Sequence, residues 1–218
     1  MKIYIINLDS QTVRLKFQES QLGNLGLIFQ RIVPFRIVDE NDPVYEQHYA
    51  TWQRELNSAE VSCFLSHAEC WQKILESREP ALILEDDAYL ASDLIEVLNE
   101  VKILNGIDYL NLEARWPHQK KLVAKTPSFM LNTGCVYRLF QGRSGAAGYI
   151  LWPKGAAKLL NNIESNGIGL VDKYINESYY LTSYTFEPSP IIQIDQCELY
   201  GFEAPITVKT SIPKPPTK

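Results

Sequence analysis
The chain has 218 residues, 45% hydrophobic and 22% charged, with a formal net charge of −5. That length fits one domain, or one domain with a small appendage, and supplies ample material for a core. The acidic balance excludes broad nucleic-acid binding, which needs a basic stripe, so no nucleic-acid partner is expected.

Lys2 to Asn7 reads as a buried first strand. Its apolar run, Ile3 to Ile6, is far too short for a signal peptide or a membrane span, so a cytoplasmic location is expected. Asp9 or Ser10 is suited to cap a helix running to about Leu22 and ended by Gly23. Leu27 to Val38 is β-branched and aromatic, broken by Pro34, and suggests a second extended element before the turn-rich Asp39 to Pro43. Tyr45 to Glu55 is polar and aromatic with no clear period.

The clearest helix follows. Val61, Phe64, Leu65, Ala68, Trp71 and Leu75 recur at helical spacing, and Asn57 with Glu60 forms a capping-box pattern. Pro80 breaks this helix before the strand Ala81 to Leu84, a βαβ-like succession whose default is a right-handed crossover to a parallel strand. Of the four cysteines, Cys63, Cys70, Cys135 and Cys197, none forms a CxxC pair or shows metal-ligand spacing. Cys63 and Cys70 lie too far apart along the helix axis for a disulfide. All four read as small core hydrophobes in a reducing compartment.

Ser92 or Asp93 starts another amphipathic helix, with apolar residues from Leu94 to Leu104 and an end at Gly106. Ile107 to Leu112 is a short strand. Trp116 to Phe129, carrying His118, Lys120, Lys121 and Lys125, reads as a basic surface loop. Cys135 to Phe140 and Ala147 to Trp152 read as strands around the turn Gln141 to Gly145. Pro153 suits the first position of the next helix, and Asp172 starts, or sits just inside, a helix over Lys173 to Tyr180. The expected domain is residues 1–204. Residues 205–218, with Pro205, Pro213, Pro215 and Pro216 beside Lys209, Lys214 and Lys218, are expected to form an extended or disordered tail.

The stretch with most chemistry is Ala81-Leu82-Ile83-Leu84-Glu85-Asp86-Asp87-Ala88. A buried strand delivers three adjacent carboxylates to its C-terminal end, the edge at which open α/β sheets bind ligands. Their mutual repulsion must be offset, and a hard divalent cation does so most directly. A solvated acidic turn would carry the same residues, but the buried run and the long helix before it favour a site. Strand alternation would point Glu85 and Asp87 to the same side.

Several segments together resemble glycosyltransferase family 25, the lipopolysaccharide galactosyltransferase-like enzymes of Gram-negative bacteria. They are Ile6-Asn7-Leu8-Asp9 with Arg14, Leu56 to Val61, Phe64-Leu65-Ser66-His67, Leu82 to Ala88, Gly145 to Leu151, Pro153 to Ala156, and Val171-Asp172. They stand in the family's order across most of the chain. The family usually carries an Arg after the Asp of the first motif, where this chain has Ser10 and Gln11 and keeps Arg14. The resemblance implies an α/β fold: a GT-A-type, Rossmann-like single domain with a mixed, mostly parallel sheet. It also implies a UDP-sugar donor (UDP-galactose being the commonest among bacterial relatives), Mn²⁺ or Mg²⁺, and a lipid-linked lipooligosaccharide acceptor.

Sugar transfer from a nucleotide diphosphate requires neutralising the leaving diphosphate, activating an acceptor hydroxyl and holding both in line. In the enzymes this chain resembles, the outer acids of such a triplet contact ribose and metal. Asp87 is therefore assigned as metal ligand, and Glu85 as a ribose contact or a further metal group, with Asp86 between them. Asn7, Asp9, Arg14 and His67 join Glu85 and Asp86 as donor-binding candidates, Arg14 through a guanidinium fork suited to phosphate. A lone helical His is otherwise commonly a hydrogen-bonded core residue. Asp172 is the candidate general base of an inverting displacement, against a plain role as a first-turn helix charge. Arg143 is a further phosphate or acceptor candidate, and Trp116, Tyr137 and Trp152 offer flat faces to a sugar. The expected function is that of an inverting, metal-dependent β-galactosyltransferase. The lysine loop and tail would give weak peripheral contact with the inner face of the inner membrane. A metal-dependent phosphohydrolase, or an inactive relative acting as a binding or adhesion module, are the competing readings.

Overall fold
The computed structural model describes residues 1–37, 39, 41–114, 120–143 and 145–208. Trp116, His118 and the tail from Lys209 onward, singled out above, lie outside them.

Strand β1 (Lys2–Ile6) is followed by helix α1 (Thr12–Asn24), strand β2 (Gln30–Ile32) and helix α2 (Pro43–His48). Helix α1 begins later than expected. Its cap is Gln11, without a side-chain cap bond, and it runs one residue beyond Gly23. Of the extended stretch expected over 27–38, only β2 pairs. Helix α2 lies in the stretch that had no period; at six residues it is defined by its cap, the Asp42 carboxylate accepting from Val44 N–H at 2.9 Å, with Pro43 at its start. Helix α3 (Ser58–Ser77) has the expected capping box, Glu60 N–H to Asn57 Oδ1 at 2.9 Å and Asn57 N–H to Glu60 Oε2 at 3.0 Å.

Strand β3 (Ala81–Glu85) leads through a turn at Asp86 and Asp87 into β4 (Ala88–Leu90) and helix α4 (Leu94–Val101). Strands β5 (Tyr109–Asn111) and β6 (Glu113–Ala114) follow. The expected basic loop holds two short strands, β7 (Leu122–Val123) and β8 (Phe129–Met130), both paired with β9 (Cys135–Gln141). Then come β10 (Gly148–Leu151), helices α5 (Pro153–Asn166) and α6 (Val171–Glu177), strands β11 (Ser183–Glu187) and β12 (Ile191–Gln193), and a 3₁₀ helix, Ile194–Tyr200.

The main sheet runs β2-β1-β3-β10-β5-β11-β9-β7, with β8 also on β9; β4, β12 and β6 form a second, small sheet. The α/β class and the mixed sheet are as expected, but the sheet is not mostly parallel. Parallel pairing is confined to β1 with β2 and β3, and β11 with β5, whereas β10 and β9 pair antiparallel with every neighbour. A buried central strand reads as a plain apolar run whichever way it points, so direction was not legible in the residues.

Period-2 alternation divides the core. Tyr4, Ile6, Ala81 and Ile83 face α3, α5 and α6, while Ile3, Ile5, Leu82 and Leu84 face α4 and Leu22 of α1. Continued past the strand ends, the same alternation sends Glu85 toward α3, and Asn7 and Asp86 toward α1. Ile6 stands opposite Glu85 in the β1–β3 register, so Asn7 and the acidic triplet emerge side by side at the C-terminal edge.

Candidate active site at the sheet edge
The three adjacent carboxylates have three different environments. Asp86 is buried and fully engaged. Its Oδ1 accepts from Arg14 NH1 at 2.8 Å and its Oδ2 from Asn7 Nδ2 at 2.8 Å, while Gln18 Nε2 donates to the Asp86 carbonyl at 3.0 Å and to the Ala88 carbonyl at 2.8 Å. Gln21 completes the clamp, donating to the Ala88 carbonyl at 2.8 Å and accepting from Leu90 N–H at 3.1 Å. Arg14 and Asp86 thus neutralise each other beneath the site. Arg14, expected to offer its fork to phosphate, is found buried with its NH1 2.8 Å from Asp86 Oδ1 and 4.0 Å from Asp87 Oδ2.

Glu85 meets α3. Trp71 Nε1–H donates to Tyr149 Oη at 2.9 Å, Tyr149 Oη lies 2.9 Å from His67 Nδ1, and His67 Nε2 lies 3.4 Å from Glu85 Oε1. A carboxylate only accepts, which places the ring proton on Nε2 and leaves Nδ1 to accept from the Tyr149 hydroxyl. Burial lowers the His67 pKa to about 4, against the opposing pull of Asp172, so the ring is neutral at physiological pH. Gln193 Nε2 approaches the other Glu85 oxygen at 3.5 Å. His67 is therefore a fully buried histidine with both ring nitrogens engaged, one of them facing Glu85.

Asp87 is the uncompensated charge. Burial, then Glu85 and Asp86, push its pKa up to about 7; Arg14, 4.0 Å from its Oδ2, lowers it only in part, and Asp195 adds to the repulsion. Its Oδ1 is buried and accepts no hydrogen bond among the described residues. A crowded oxygen donor with a spare lone pair and acidic neighbours suits a hard divalent cation, so the residues present fit one. Asp195 follows β12 as the triplet follows β3, and the Asp87 carbonyl accepts from Ile194 N–H at 2.9 Å. The β-branched stretch Ile191-Ile192-Gln193-Ile194 before an Asp carried the signal for this fourth acid, which went unread.

Asp172 lies in the first turn of α6 and does not cap it; its Oδ1 accepts from Gly145 N–H at 3.2 Å. Gly145 has φ +105°, and a Cβ there would stand 2.7 Å from Glu113 Oε2. Glu113, the first residue of β6, is fully buried and accepts from Ala147 N–H at 2.9 Å. The charge of Asp172 is felt by His67 and Cys63 on α3, so it belongs to the same electrostatic cluster as Glu85.

Other candidates fall away from this cluster. Asp9 is exposed and pairs with Arg31 at 2.7 Å. Arg143 is buried, donating to Ser183 Oγ at 2.8 Å and to the Phe140 and Asn176 carbonyls at 2.9 and 3.1 Å, which makes it a structural support of its turn. Lys121 is no surface charge either: its Nζ lies 3.0 Å from each of Asn111 Oδ1, the Glu113 carbonyl and Thr185 Oγ1. Tyr137 and Trp152 are partly buried, Trp152 against the core around α4. No helix among the described residues is long and apolar enough to cross a membrane.

Residues 1–175 match the family described as glycosyltransferase family 25 (LPS biosynthesis protein). The chain is 28% identical over 187 residues to a Haemophilus influenzae protein provisionally named a glycosyltransferase, covering 81% of this chain and 63% of that one. It is 26% identical over 142 residues to human procollagen galactosyltransferase 2, covering 63% of this chain and 22% of that protein. It therefore spans less than two thirds of either relative. Among solved structures, a glycosyltransferase involved in the glycosylation of the major capsid of PBCV-1 aligns with a TM-score of 0.47 at 10% identity, over 88% of this chain and 91% of that one. The ordered motifs from Asn7 to Asp172 and the match across residues 1–175 make this chain a member of glycosyltransferase family 25.

Proposed function
We propose that this protein transfers a sugar from a nucleotide diphosphate donor to an acceptor sugar hydroxyl, with inversion and with help from a divalent cation. The observation that carries the reading is Asp87, a carboxylate crowded by two others at a sheet edge and only partly compensated by Arg14.

Asp87 would hold Mn²⁺ or Mg²⁺, with Glu85 as a further ligand or as the group that receives the donor ribose, in a GT-A-type arrangement. The cation, when bound, supplies positive charge for the leaving diphosphate. His67, anchored through Tyr149 and Trp71, restricts Glu85 to one orientation. Asn7 and Arg14 hold the Asp86 carboxylate and Gln18 its carbonyl, so Asp87 is presented without movement of the turn. Asp172 removes the proton from the attacking acceptor hydroxyl, with one of its oxygens held by the Gly145 N–H.

UDP-galactose is the donor of first choice, supported by the galactosyltransferase name of the human relative. A lipooligosaccharide acceptor is supported by the lipopolysaccharide description of the family. With Lys121 committed inside, Lys120 and Lys125 are the exposed lysines among the described residues of the basic loop, and any membrane contact they make would be weak. The test is a panel of UDP-sugars with Mn²⁺ or Mg²⁺, scoring donor hydrolysis and transfer to truncated lipooligosaccharide. Donor turnover is expected with metal and absent with EDTA. Turnover in excess EDTA overturns the cation, and phosphate release without any UDP formed points instead to a phosphohydrolase.

A further inference from the structure
Helix α3 brings a second kind of metal donor to the sheet edge. Cys63 and His67 are one turn apart on the same face of α3, the i, i+4 spacing that aims two side chains at one point. Glu85 arrives opposite them from β3, and the three donor atoms lie within 4.8 Å of one another. We propose that Cys63, His67 and Glu85 form a site for a soft divalent transition metal, Zn²⁺ before others, and that its occupancy inhibits sugar transfer by withdrawing Glu85.

The chemistry of the donor set separates this site from that of Asp87. A thiolate and an imidazole select Zn²⁺ or Co²⁺, whereas Mn²⁺ and Mg²⁺ prefer oxygen. Three protein ligands leave one tetrahedral position for water. Burial, then Glu85, Asp172, Asp87 and Glu60, keep the Cys63 thiol protonated, so a cation arriving among these acids must displace that proton. Behind His67 stands the support that metal-ligating histidines require. With metal on Nε2 the ring proton moves to Nδ1 and donates to Tyr149 Oη, and the Tyr149 hydroxyl proton, which points at Nδ1 in the metal-free ring, turns away. Binding releases one proton, from the Cys63 thiol. Cys63 and Glu85 are partly buried, whereas His67 is enclosed.

Binding stands independently of the transferase reading, whereas the inhibition rests on it, and the experiment separates the two. The full-length protein is titrated with Co²⁺ and followed by optical absorption. A sulfur-to-cobalt charge-transfer band is expected in the wild type, retained in Cys135→Ser, and lost in both Cys63→Ser and Cys63→Ala, with Co²⁺ affinity down at least about tenfold. No band in the wild type, or a band surviving in both Cys63 variants, overturns the site. In the Mn²⁺-supported donor assay, Zn²⁺ should inhibit the wild type, and Cys63→Ser should turn over normally while needing at least about tenfold more Zn²⁺ for inhibition. Equal sensitivity of the two overturns the inhibitory role. Absence of donor turnover under all metals would refute the transferase reading, while the Co²⁺ band would still decide the site.

Discussion
Glu85, Asp86 and Asp87 are consecutive acids, yet one is held by a histidine relay, one is buried against Arg14, and one is left crowded. The difference matters for pH. Unfolded, Asp87 titrates near the ordinary carboxylate value of 3.8; in the folded chain burial and its acidic neighbours push it up to about 7. Between those values the folded state binds more protons, so this group's contribution to stability falls as pH rises through that window, and the penalty persists above it. Asp87→Asn should therefore raise the metal-free stability at pH 8, by on the order of 3 kcal/mol, and remove most of that slope. Mn²⁺ should raise the unfolding midpoint of the wild type and leave that of the variant nearly unchanged, while donor turnover is lost. Thermal unfolding at pH 5 and pH 8, with and without Mn²⁺, checks this. A variant less stable than the wild type at pH 8 would show that Asp87 is already compensated.

At the scale of elements, local chemistry was legible and long-range partnership was not. The α3 capping box, the apolar β3 run and the Pro153 start of α5 are set by near neighbours, and they are found where the residues placed them. The role of Arg14 depends on a partner 72 positions away, so its residue type alone suggested phosphate. Helix α2 and strands β7 and β8 are too short to show a period. The turn before β10 is an element whose role emerges only from contacts. Gly145 occupies φ +105° and touches Glu113 on one side and Asp172 on the other. An alanine there must strain the backbone and displace the Glu113 carboxylate. Gly145→Ala is expected to lose about 1–3 kcal/mol of stability and to slow transfer disproportionately at a temperature where it remains folded. Thermal unfolding together with kcat measures both. A variant that is destabilised yet transfers at the wild-type rate would detach this turn from Asp172.

Across the whole molecule, the sheet edge collects groups from both core faces. Asn7 and Asp86 belong to the α1 face, whereas Glu85, His67 and Asp172 belong to the face of α3 and α6. The donor groups thus rest on β1, β3 and α1, whereas Asp172 rides on a helix anchored through Val171 and Ile175 in the other core. This division predicts separable functions. The proposed inverting displacement needs a proton acceptor on the acceptor side, and in that proposal the triplet serves the turn and the cation. Removing a general base slows transfer by roughly 10²- to 10⁴-fold while the interactions that bind the donor remain. Asp172→Asn keeps an oxygen for the Gly145 N–H, so the α6 contact survives and the loss falls on proton transfer. Its kcat should drop by that factor, with UDP-sugar affinity by calorimetry near that of the wild type. Transfer at the wild-type rate would return Asp172 to a first-turn charge on α6, and lost donor affinity would move it to the donor half of the site.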